Sequence, residues 1–280
     1  MVKQRMDLFM RMHLMKQKMA FINERHMLVK NLNKKIRQLV IAVSLAILLG
    51  SCSSNQAPLP YNFQSWAMKF TAPSNYEVWF WSAYGENDKE NWRHPVHAGS
   101  YPGWRMKLPN VQKWLEQPDY EGYGIPLAHR VINYRAEQVG LAHKSLPDRL
   151  YINWVSRYSN TEYETIFEVS EELKQKMKVP FYPSWYGGLP CHKQDFTLAF
   201  LPNGIMKVWI SDCNRYTYVG EVAPFSEKQR KMPEPGSTDM RLFKAAHAKG
   251  PIPWDKVNKV WLGPDLTMDL LSGLENIGVE

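Results

Sequence analysis

Only one stretch of the 280-residue chain is continuously apolar, and it is too short to cross a bilayer as a permanent span. Leu39 to Leu49 (LVIAVSLAILL) is interrupted only by Ser44. As a helix rising ~1.5 Å per residue, it covers about half of a hydrocarbon core. Cysteine is almost as scarce, at three residues, so neither a dense disulfide scaffold nor a Cys-rich zinc module is open to the chain. Catalytic signatures are also missing. The sequence has no Gly-x-Ser-x-Gly elbow, no His-Glu-x-x-His pair, no P-loop and no dinucleotide fingerprint, and no catalytic residue or cofactor is assigned. His94-Pro95-Val96-His97 has a spacing that suits a metal, but no cysteine lies nearby and the proline opposes a helix that would present both rings on one face, so both are read as loop histidines.

The apolar run follows Lys34, Lys35 and Arg37 and ends in Leu49-Gly50-Ser51-Cys52. A basic region, a short apolar region and small residues form the layout of a secretory signal peptide. The last four residues resemble a bacterial lipobox. That resemblance implies cleavage before Cys52, lipid on its thiol and amine, and membrane attachment through two or three acyl chains. Ser53 in the next position implies sorting to the outer membrane, with the protein facing the periplasm. The expected organisation is a signal peptide over 1–51 (with Met27 a more ordinary start than Met1), a lipidated tether over 52–65, and one globular domain over 66–280. The tether reading rests on the polar, proline-bearing SSNQAPLPYNFQ.

Removing the leader removes the charge excess. Ten of the 35 basic residues and two of the 27 acidic ones lie within 1–52, which leaves 25 of each sign beyond it. A neutral domain gives no support for a nucleic-acid partner.

The remainder is rich in aromatics and patterned in period two. Tyr76–Tyr84 (YEVWFWSAY) reads as a strand. Arg149–Tyr158 places Leu150, Ile152 and Trp154 on one face and Tyr151, Asn153 and Val155 on the other. It turns at Ser159-Asn160 into Thr161–Val169, which predicts a hairpin. Ser170 caps a short helix that runs to about Met177. Asp195–Leu201 and Ile205–Ser211 flank Pro202-Asn203-Gly204, a strong hairpin signal, and Tyr216–Val222 extends the meander. A second helix, capped by Thr238, is expected to Ala248. Long ordered loops fill 86–147, with a helix near Val111–Glu116. The expected fold is therefore mainly β (α+β), an antiparallel sheet or sandwich with two short helices and long loops.

If Leu201 faces Ile205, Cys191 and Cys213 fall nearly opposite each other. A structural disulfide between them is the expected use in an oxidising compartment, ahead of a Cys191-His192 thiol–imidazole pair. Of the eleven tryptophans, Trp79, Trp154 and Trp209 stand at strand positions and are assigned to the core. Trp92, Trp104 and Trp185, in loop-like stretches, are the candidates for exposed contacts.

The order of these segments resembles a known family. A lipobox, EVWFWSAY, the LPDRLYINW strand, the PNGIMKVWI hairpin, YTYVGEV and a closing IPWDKV look like the Gram-negative lipoproteins of the domain of unknown function 2931. The resemblance runs from about Met68 to Val257 and carries no catalytic residue. It implies an immunity protein: a periplasmic lipoprotein that binds a secreted antibacterial toxin, such as a type VI lipase. The alternative is a structural or accessory lipoprotein that binds another envelope component.

Overall fold

In the computed structural model, residues 59–60, 62–101, 107–132, 135–140, 142 and 145–271 are described, with backbone only for 97–101. The expected Cys52 lipid site and Trp104 lie outside these residues. Among the described residues there are thirteen strands: β1 (Ala67–Thr71), β2 (Val78–Asn87), β3 (Trp92–Tyr101), β4 (Ile125–Leu127), β5 (Arg135–Ala136), β6 (Arg149–Ser156), β7 (Thr161–Glu168), β8 (Asp195–Phe200), β9 (Met206–Asp212), β10 (Arg215–Val222), β11 (Ser226–Gln229), β12 (Val260–Leu262) and β13 (Thr267–Leu270). The helices among the described residues are α1 (Leu108–Leu115), α2 (Glu171–Lys178), α3 (Thr238–His247) and α4 (Trp254–Val257); α1 lies where a helix near Val111–Glu116 is expected, and α4 is additional. None is long and apolar enough to cross a membrane.

The predicted hairpins set the framework. β6 and β7 pair antiparallel from Arg149↔Glu168 to Ser156↔Thr161. β8 and β9 pair from Asp195↔Ser211 to Phe200↔Met206, which is the register implied by Leu201 facing Ile205. Their turn needs Gly204, which sits at φ 92°. A Cβ there would lie 2.6 Å from the Tyr163 ring, so glycine also lets the turn approach β7. β9 and β10 join through Cys213 (φ 45°) and Asn214 (φ 68°), a left-handed pair that matches a two-residue type I′ turn. At the caps, the Ser170 hydroxyl accepts from the Leu173 N–H, as read from the sequence. For α3 the cap is Ser237, accepting from the Met240 N–H, one residue before the predicted Thr238.

Three strands come from the stretch read as loops and a fourth from its N-terminal flank. β3 pairs with β2 at a sheet edge, where Pro95 costs no interior ladder bond. β4 pairs with β12, and β5 with β1. β1 lies parallel to β8 and so turns the meander into a mixed sheet. The result is a six-stranded sheet (β13-β10-β9-β8-β1-β5), a five-stranded sheet (β11-β7-β6-β2-β3) and a β12-β4 pair.

The two larger sheets bury a common aromatic core. Phe70 on β1 stacks on Phe80 of β2 at 4.5 Å, and Phe200 of β8 meets Phe80 at 4.8 Å and Trp154 of β6 at 4.9 Å. Phe63, within the stretch read as tether, is already 2% exposed and belongs to this core.

Cys191 and Cys213 form the expected disulfide, 22 residues apart in sequence, and tie the lead-in to β8 to the β9–β10 turn. Closing a loop of that length restricts the unfolded chain by about 3 kcal/mol. The Cys191→Ser/Cys213→Ser protein should therefore melt roughly 6–12 °C below the oxidised wild type. Thermal unfolding followed by circular dichroism measures this, and a wild-type midpoint indifferent to reductant would contradict it.

Candidate interaction surface

Strand alternation gives the five-stranded sheet an outward face, and register arranges its residues in rows. Across β2, β6 and β7 these rows run Trp79–Val155–Glu162, Ser82–Asn153–Glu164 and Tyr84–Tyr151, with Ile166 beyond. A β-bulge at Trp81 changes the parity between the first two rows, because Phe80 faces Trp154 while Ser82 faces Asn153. The bulge lets Trp79 and Trp81 share the outward side with Ser82 and Tyr84.

Two aromatic pairs result. Trp79 and Trp81 stack at 5.1 Å, and the Arg157 guanidinium lies 4.6 Å from the Trp79 ring. Tyr84 and Tyr151, directly opposite each other, stack at 4.7 Å with Arg93 at 4.7 Å over Tyr84. Partial burial pushes the Tyr84 phenol above its ordinary pKa, against the pull of Arg93, so it remains a neutral hydrogen-bonding group at physiological pH. Arg93 also bonds Glu86, and Arg157 bonds Asp239, which fixes both guanidinium groups over their rings.

The tyrosine pair forms part of a groove of about 270 Å³ that is also lined by Ser82, Asn153, Glu164 and Phe225. Phe225 is 72% exposed and is carried to the rim by its N–H donating to the Glu164 carbonyl. Asn153 donates to Glu162 while its buried Oδ1 has no hydrogen-bond partner. Glu164 accepts from Ser226 of the edge strand β11. The face therefore offers flat apolar rings, fixed guanidinium groups and several acceptors. That set suits recognition of a folded surface or of a ring that stacks.

The residues nominated from sequence are distributed differently. Trp185 is 59% exposed, in the segment between α2 and β8. Trp92 is not a loop residue: it opens β3, its ring stacks on buried Trp66 at 6.1 Å, and its indole N–H donates to Glu90. It closes the end of the core instead of offering a free contact. Of the three tryptophans assigned to the core, Trp154 and Trp209 are there, whereas Trp79 packs on Trp81 at the outward face. Trp81, Tyr84 and Tyr151 were not singled out. Their signal was the period-two pattern of β2 and β6, which identifies a shared face without saying which face is covered.

His94 lies on β3 and not in a loop. Among the described residues, Cys191, Asp212 and Cys213 are the one group close enough for a metal, and both sulfurs are committed to the disulfide. His192 is buried, with Nδ1 3.0 Å from the Lys178 carbonyl and its ring against Phe63.

No curated protein and no solved structure matches the chain. A family model does, over residues 53–255, which takes in both large sheets except the last strand of one of them. The chain thus belongs to the DUF2931 family of proteins of unknown function.

Proposed function

We propose that this chain is a lipid-anchored envelope protein whose β-sandwich is a protein-binding module of the immunity type, neutralising a secreted antibacterial effector such as a lipase. The observation that carries the binding reading is the outward face of the five-stranded sheet. Two stacked aromatic pairs, each with an arginine over it, share this face, and the tyrosine pair lines a groove in it. Trp, Tyr and Arg are the side chains that dominate protein interfaces, because rigid rings and planar cations bury much area for little lost entropy. Lipid at Cys52 would hold this face at the membrane, where a lipase acts, and raise its effective concentration there.

The test is a pull-down of the tagged, lipidated protein from its own envelope, with mass spectrometry of what is retained. Recovery of a secreted hydrolase that the purified protein then inhibits is the expected result. Recovery of resident envelope proteins alone would transfer the reading to an accessory envelope role. With a partner in hand, Trp81→Ala/Tyr84→Ala should weaken binding by about 30-fold or more, the loss typical of an interface centre. Titration calorimetry measures this, and unchanged affinity would move the interface away from this face.

A further inference from the structure

The thirteen residues between Lys178 and His192 (VPFYPSWYGGLPC) carry no charge. Val179, Tyr182, Trp185, Tyr186 and Leu189 among them are exposed. Large apolar side chains grouped on one projecting segment mark a surface made for contact. The segment is held at its root. Phe181 and Cys191 exchange backbone hydrogen bonds of 2.9 Å, and Cys191 is bridged to Cys213. The tip turns through the 3-10 segment Ser184–Tyr186 and then Gly187 and Gly188, both at positive φ. Trp185 and Tyr186 pack together at 5.3 Å.

Cations surround the root. The Arg215 guanidinium and the Lys193 ammonium lie 5.2 and 5.9 Å from the Phe181 ring, and Lys178 ends α2 immediately before the segment. Asp269 is shared by Arg215 and Lys193, and the Asp212 carboxyl lies within 4.8 Å of the disulfide sulfurs, so the three cations outnumber the acids at the root by one. The chain also enters the fold here, since Phe63 packs on His192, whose Nδ1 meets the Lys178 carbonyl. Ten residues lie between Cys52 and Phe63, so the lipid-bearing Cys52 cannot be farther than about 40 Å from Phe63.

We infer that Val179–Cys191 is a finger that enters the interface of an anionic membrane, with Trp185, Tyr186 and Leu189 among the acyl-chain ends of the headgroups and the collar on the phosphates. Trp and Tyr favour that layer because one side of the ring is apolar and the other polar. An uncharged segment enters it without desolvating a charge, while lysine and arginine at its base are drawn to anionic lipid. The occupant is a lipid surface and not a second protein because uncharged aromatic tip, cationic collar and tether root coincide at one place. The finger and the aromatic sheet face are then separate devices, one for the membrane and one for the partner.

The test uses the full lipidated protein in vesicles of phosphatidylethanolamine and phosphatidylglycerol that contain lipid brominated in its acyl chains. Contact quenching of tryptophan fluorescence is compared among wild type, Trp185→Phe and Trp254→Phe. Trp254 is an exposed tryptophan on α4. The expected result is that wild type and Trp254→Phe are quenched alike, while Trp185→Phe loses most of the quenching and retains the wild-type melting temperature. Replacing phosphatidylglycerol by phosphatidylcholine should weaken the quenching. Equal quenching in Trp185→Phe and wild type, or none in wild type, overturns the inference. Absence of lipid quenching in the vesicles, together with shielding of Trp185 from iodide in a complex returned by the envelope pull-down, would overturn the inference and assign the finger to protein docking. No effector is present in the vesicle measurement, so it stands or falls apart from the immunity reading. The mass of the purified protein reports the lipid independently.

Discussion

Phe200→Ala is expected to destabilise the domain by about 3–5 kcal/mol, the cost of deleting a buried phenyl ring and leaving a cavity. The position is chosen by geometry as well as by burial. Phe200 is fully buried, and its ring is shared by three strands from two sheets: Phe70 of β1 at 6.0 Å, Phe80 of β2 at 4.8 Å and Trp154 of β6 at 4.9 Å. The indole N–H of Trp154 is fixed by the Thr165 hydroxyl, so that wall cannot swing in to fill the space. Phe80 is pinned by its stack on Phe70. The midpoint in urea should therefore fall with little change in slope. Phe225→Ala is the contrast: that ring is 72% exposed at the groove rim, and its loss should change stability by no more than about 0.5 kcal/mol. Equal effects at the two positions would mean that the sheets are not packed as described.

The difference between these two phenylalanines was only half legible in the sequence. Period two placed Phe200 in a strand and in a hairpin with the correct partner, because Asn203-Gly204 fixes the turn and the turn fixes the register. The same logic gave the β6–β7 hairpin and put Leu150, Ile152 and Trp154 together on what proves to be the core side. What local pattern does not carry is the partition of hairpins between sheets. That depends on β1, whose Ala67–Thr71 is buried on both faces and so shows no alternation to read. Its parallel partner β8 is more than a hundred residues away. β3 hid for another reason: Pro95, Gly99 and two histidines depress its strand propensity, and an edge position tolerates them. The candidate surface shared this fate. Trp81 and Tyr84 reach one face only through a bulge, and the groove needs Phe225 from a distant segment. The exposure of Trp185, by contrast, was readable, because an uncharged Pro- and Gly-containing segment before a disulfide offers only a single 3-10 turn and no longer element in which to hide its ring.

Asp195→Ala should cost about 3 kcal/mol, near the lower end of the loss expected when one partner is removed from a buried ion pair. Asp195 opens β8, and its side chain is 1% exposed. It accepts a bidentate pair of hydrogen bonds from Arg135 of β5, both 2.9 Å, and is 2.9 Å from the Lys69 ammonium of β1. One acid therefore neutralises two cations on the neighbouring strands β1 and β5, which carry the six-stranded sheet beyond its meander. The lower end applies because Lys69 and Arg135 retain 15% and 29% side-chain exposure, so water screens part of the charge left behind, and Glu137 still engages Arg135. The nearby Asp212 carboxyl is pushed above the usual carboxylate range by burial and then by the Asp195 charge. Removing Asp195 relieves that repulsion and leaves Asp212 facing two cations, which offsets a further part of the loss. If the cost is the uncompensated charge, adding Lys69→Met to Asp195→Ala should restore stability, although Lys69→Met alone removes an ion pair. Urea midpoints of the four proteins in this cycle measure the coupling. Strict additivity would show that the three strands are joined by their backbone ladders alone, and that the ion cluster holds nothing the sheet does not already hold.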